Sequence, residues 1–95
     1  MSLFVVEHRH SAETCPARDS QMGPLLMEQL SPKNAAAHDV KVQGEAVING
    51  AHALYMIVEA PDAEHVSQFM APFNEVGSVE IFPASPCEAV IGRGC

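Results

Sequence analysis

Basic residues are scarce: five lysines and arginines stand against 12 aspartates and glutamates in 95 residues, for a formal charge of −7. From Glu45 onward the only base is Arg93. A nucleic-acid surface needs a basic stripe to displace counterions from phosphates, and an anionic membrane surface asks for the same, so both partners are excluded. No apolar run approaches the roughly 18 residues of a membrane span. The opening MSLFVVEHRH has neither the basic start nor the small-residue cleavage site of an export signal. A cytoplasmic location is therefore expected. The cysteines, Cys15, Cys87 and Cys95, are odd in number. Free thiols are expected in place of a disulfide framework, with metal ligation or redox chemistry as the sharper alternatives. No Gly-rich phosphate loop follows a strand and no serine elbow occurs, which leaves nucleotide and serine-hydrolase chemistry unsupported. With no repeat and no linker, residues 1–95 form a single domain. A chain of this size buries only about 60 to 65 per cent of its unfolded surface, so pairing with a second copy is expected to add burial.

What is present is a regular succession of elements. LFVVEHRH, residues 3–10, reads as a strand buried at its first half. Met22, Leu25, Leu26 and Leu30 recur at helical spacing, with Asp19 or Ser20 as N-cap; Ser31-Pro32 stops that helix and starts a short second piece. Asn49-Gly50 lies between two alternating runs, the signature of a two-residue hairpin turn. That turn sets Ile48 against Ala51, Gly44 against Tyr55 and Val42 against Ile57. Asp62 caps a helix carrying Val66, Phe69, Met70 and Phe73, which Pro72 should kink or end near Ala71. SVEIFPA is the last strand, with a further short strand expected over 88–91.

The order strand, helix, strand, strand, helix, strand predicts an α+β fold of ferredoxin-like βαββαβ type. In it a four-stranded antiparallel sheet, ordered fourth, first, third, second, carries both helices on one face. Through LFVVEHRH, GEAVINGAHALYMIVEAPDAEHVSQFMAPF and GSVEIFPA, the chain resembles the ferredoxin-like dimeric α/β-barrel superfamily. The resemblance implies two sheets packed face to face across a two-fold axis. Known members include small monooxygenases, haem-degrading enzymes, lactone isomerases and a sulfur-oxidising iron enzyme. No motif matches position by position, so the resemblance assigns no catalytic residue.

Strand alternation puts His8 and His10 on one face with Phe4 and Val6, about 7 Å apart. Cys15 follows on a loop able to fold back, giving H-x-H-x4-C. Imidazole and thiolate suit Fe, Cu or Zn, and an open fourth position would permit catalysis, of an oxidative or sulfur-related kind. Glu80, on the strand returning beside this end, is a candidate carboxylate ligand. His52 is placed apart: with the first and third strands taken as parallel, it lies about 20 Å from the histidine pair. It joins Glu45 on the hairpin. Val6, Leu54, Met56 and Val58, with Glu45 and His52, are expected to line a pocket on the open sheet face. The competing expectation is a metal-free or monooxygenase-like domain that encloses an apolar small molecule there, at the interface of a homodimer.

Overall fold

Alternation along the first strand, β1 (Ser2–Arg9), buries Phe4, Val6 and His8 and leaves Leu3, Val5 and Glu7 on the other face, following the two-residue period of a strand. Such period-two and period-3.6 patterns account for the rest of the chain, seen in a computed structural model that describes residues 1–13, 15 and 19–94. Pro16, a sequence-predicted breaker, and Cys95 lie outside those residues. After β1 come α1 (Met22–Gln29), α2 (Pro32–Ala37), β2 (Lys41–Ile48), β3 (Ala53–Ala60), α3 (Ala63–Phe69), α4 (Ala71–Asn74), β4 (Ser78–Ala84) and α5 (Cys87–Val90).

Local chemistry explains the breaks. Asp19 Oδ1 accepts from the backbone N–H groups of Gln21 and Met22 at 2.8 and 2.9 Å, starting α1. Ser31 caps α2 by accepting from Asn34 N–H at 3.2 Å, with Pro32 in the first turn, where no N–H is needed. Asp62 likewise caps α3. Pro72 cannot continue α3, which ends at Phe69, and serves instead in the first turn of α4. The tail is a single helical turn, α5, and not the short strand expected over 88–91.

The sheet is wholly antiparallel and ordered β2-β3-β1-β4, so β1 has β4 on one side and β3 on the other, the neighbours expected from the sequence. One expectation is overturned. β1 and β3 run antiparallel, with Arg9 opposite Ala53 and Phe4 opposite Val58. The strand order requires this: a helical crossover returns β2 parallel to β1, and the hairpin then reverses β3. The hairpin also differs from a two-residue turn. Ile48 faces Ala53 instead of Ala51, so Asn49–His52 form a four-residue connection in which Gly50 and His52 take positive φ (77° and 51°). A bulge between Val42 and Gly44 then turns Val42 toward Val58 and the core.

The helices cover the face bearing Phe4, Val6 and His8. Leu26, Ala35, Val66, Phe69, Met70 and Phe73 pack there against Leu54, Met56 and Val58 of β3. Full burial of each larger apolar side chain contributes about 1.5–3 kcal/mol. Val6, Met56 and Val58, expected to line a pocket on the open face, are instead core residues beneath the helices; Val6 and Val58 are fully covered. The opposite face is open. Across it run Ile57, Val5 and Phe82 in one row, and Tyr55, Glu7 and Glu80 in the next. Tyr55 donates its hydroxyl to Glu7 Oε2 at 2.6 Å, and Arg9 Nη2 donates to Tyr55 Oη at 2.8 Å. The Tyr55 bond, reinforced by Arg9, holds the Glu7 carboxyl below its ordinary range. Among the described residues no helix is long and apolar enough to cross a membrane.

Candidate metal centre

The end of β1 and the start of β3 are one place. His10 N–H donates to the His52 carbonyl at 3.2 Å, extending the ladder one pair beyond Arg9 and Ala53. Directly opposed residues point to the same face of a sheet, so the two rings meet on the helix side, edge to face with centroids 5.2 Å apart. Cys15, on the segment after β1, completes the group. One ligand atom from each of His10, Cys15 and His52 falls within 4.8 Å of the others. Donors on a tetrahedral zinc-like ion stand about 3.3 to 3.7 Å apart, so a small inward movement of the half-buried side chains would complete the geometry.

His8 stands behind His10. It is a buried polar side chain, 1% exposed, packed edge to face on Phe73 at 5.2 Å. Its Nδ1 lies 3.1 Å from the Ser78 carbonyl oxygen and its Nε2 lies 3.3 Å from His10 Nδ1. A carbonyl only accepts, so His8 Nδ1 carries the proton and its bare Nε2 accepts from His10 Nδ1–H. His10 Nε2 is thereby left as a lone pair. That nitrogen is buried and has no hydrogen-bond partner. Burial first, and then the neighbouring imidazole, lowers the affinity of each ring for a second proton: His10 acts on His8, and His52 acts on His10. Both shifts favour the neutral form that a metal needs.

The sequence-predicted residues sort as follows. His10 and Cys15 come together as expected, and His52, set apart at about 20 Å on the parallel-strand reading, joins them because β3 is antiparallel to β1. His8 supports His10 and is not a member of the three-residue group. Glu80 pairs with Glu7 on the open face, with Val79 opposite His8, so its carboxylate is on the wrong side of the sheet to join the histidines. Glu45 and Leu54 do reach the site: with His8, His10, Cys15 and His52 they line a cavity of about 610 Å³ between α1, the β2–β3 connection and the end of β1. Cys87 is exposed and outside that cavity.

Two residues that govern the site carried only a faint sequence signal. Ser78 contributes a backbone carbonyl, which no residue type reveals. Gly77, just before β4, packs so closely that an added Cβ would clash with the Arg9 carbonyl oxygen and lie 3.0 Å from His10 Cβ. The absent side chain lets the β4 entry press against the His8–His10 segment.

A family model described as "Domain of unknown function (DUF3303)" matches residues 3–92. No curated protein matches the chain.

Proposed function

The chain belongs to the DUF3303 family, and on the chemistry of its own side chains we propose that it binds a transition metal through His10 Nε2, Cys15 Sγ and His52. The observation that carries this reading is the buried, partnerless Nε2 of His10, with its lone pair fixed by a relay from the Ser78 carbonyl through His8. Metal-bound histidines typically donate their other ring nitrogen to an acceptor that fixes the tautomer, and His8 is such an acceptor. Two imidazoles and a thiolate suit Zn, Cu or Fe and leave a fourth position for water or substrate. A site of this kind supports Lewis-acid chemistry on a small molecule, or oxidative chemistry where the metal is redox-active.

The same reading extends to the whole molecule as a ferredoxin-like homodimer. The open sheet face carries the row Ile57–Val5–Phe82, with Ile57 and Phe82 each 46% exposed. A second copy covering that row would bury it. The second functional reading is a metal-free site for an apolar small molecule, supported by the cavity that adjoins the three donors.

Elemental analysis of untagged protein separates the two. The metal reading predicts about one Zn, Cu or Fe per chain, falling below about 0.1 in His10→Ala, Cys15→Ser and His52→Ala. A metal-free wild-type chain that is not stabilised by added metal contradicts it.

A further inference from the structure

The surface of the cavity beside the three donors is mostly apolar, with walls that include Met27, Leu30, Val47, Ile48, Leu54 and Phe73. It forms because the helical layer stops short of the hairpin end, where Val47 is exposed although it shares a face with buried Leu54. At about 610 Å³ it has the size of a site for a small molecule and not for a single water. Its charges are one-sided. Glu45 and Asp19 line it, and no lysine or arginine does among the described residues. An anionic group entering this space alone would meet two carboxylates and no cation. A divalent ion held by one thiolate and two neutral imidazoles reverses the balance. It leaves one net positive charge and one open position where His10, Cys15 and His52 converge on the cavity.

We propose that the cavity binds a small molecule with an apolar body and a single anionic, metal-coordinating head, of the medium-chain carboxylate or thiolate class, and that the metal decides whether the head is accepted. This rests on the metal reading above and adds the ligand to it. The head completes the metal's coordination, and the body lies along Leu54, Leu30 and Met27. Glu45 and Asp19, both on the cavity lining, disfavour a second anionic group on the ligand, so dianionic molecules bind more weakly than monoanions.

Octanoate, acetate and octan-1-ol, titrated into cobalt-loaded and chelator-stripped protein, test this. In the cobalt form octanoate shifts the visible cobalt bands, and it binds tighter than acetate by about fourfold for each methylene buried. It also binds at least about tenfold tighter than octan-1-ol. In the stripped form the order reverses and octan-1-ol is preferred. Met27→Glu, at an exposed wall position, weakens octanoate by about tenfold or more relative to acetate. Octanoate binding no tighter than acetate overturns the cavity assignment. An octanoate preference that survives metal removal overturns the role given to the metal. Failure to take up cobalt contradicts the metal centre and, with it, the head-group preference; cobalt uptake without chain-length dependence contradicts the cavity alone.

Discussion

At the scale of the residue, His10 and His8 divide one task. His10 offers the lone pair, and His8 holds the ring that carries it. The H-x-H spacing put both on one face, and that much was legible. Their separate roles were not, because parity does not say which ring the helices cover: Phe73 packs on His8, which is 1% exposed, whereas the ring of His10 meets that of His52. His8→Phe keeps a ring against Phe73 and removes the acceptor for His10 Nδ1–H. Zinc affinity measured by chelator competition should fall by about 10- to 100-fold. The same substitution tests a pH effect. The His8 pKa is lowered from its ordinary 6.5 by burial and by His10, so below that value the unfolded chain binds the proton more readily. His8 therefore contributes stability fully above pH 6.5, and that stability is lost as the pH falls below it. Urea unfolding of the metal-free protein should give a midpoint that drops between pH 7.5 and 5.5, with a shallower drop in His8→Phe.

At the scale of the element, the site depends on how β1, β3 and β4 meet. The succession of elements, the strand neighbours and the caps at Ser31 and Asp62 were readable, because they follow from periodicity and from the side-chain chemistry of helix starts. Strand direction was also implicit: one crossover and one hairpin fix β3 antiparallel to β1. Taking the two as parallel separated His52 from partners it in fact adjoins. The hairpin length was less accessible. Asn49-Gly50 marks a turn, but the connection spends two more residues, and His52 absorbs a positive φ, which histidine takes more readily than most side chains but which its presence alone does not announce. Gly77 shows how close approach stays hidden in sequence. Gly77→Ala places a methyl group against the Arg9 carbonyl and His10 Cβ, and must displace the end of β1. It should cost about 1–3 kcal/mol in urea unfolding. It should also lower metal content, whereas Gly44→Ala, which meets nothing within 4 Å, should leave metal content near that of the wild type.

At the scale of the whole molecule, the two faces of the sheet do different things. The helix-covered face supplies the core and, at its uncovered end, the donors and the cavity; the open face carries the Ile57–Val5–Phe82 row beside the Glu7–Tyr55–Arg9 cluster. The expected pocket residues were assigned to the wrong face because burial under helices and burial under a partner leave the same alternation in a strand. If self-association uses the open face, Ile57→Lys with Phe82→Lys should shift the mass measured by light scattering from two chains to one. Metal content should be unchanged, since neither residue lines the cavity. A wild-type mass of one chain across the concentration range contradicts the homodimer.

The proposed metal joins His52 to His10 and Cys15 across the antiparallel β1–β3 pair. Its most direct test is a cobalt titration followed by absorbance, in the wild-type chain, His52→Ala and Glu80→Gln. One tetrahedral cobalt per chain with a thiolate charge-transfer band is expected in the wild type and in Glu80→Gln, and loss of that spectrum in His52→Ala. An unchanged spectrum in His52→Ala, or its loss in Glu80→Gln, would rule out this ligand set.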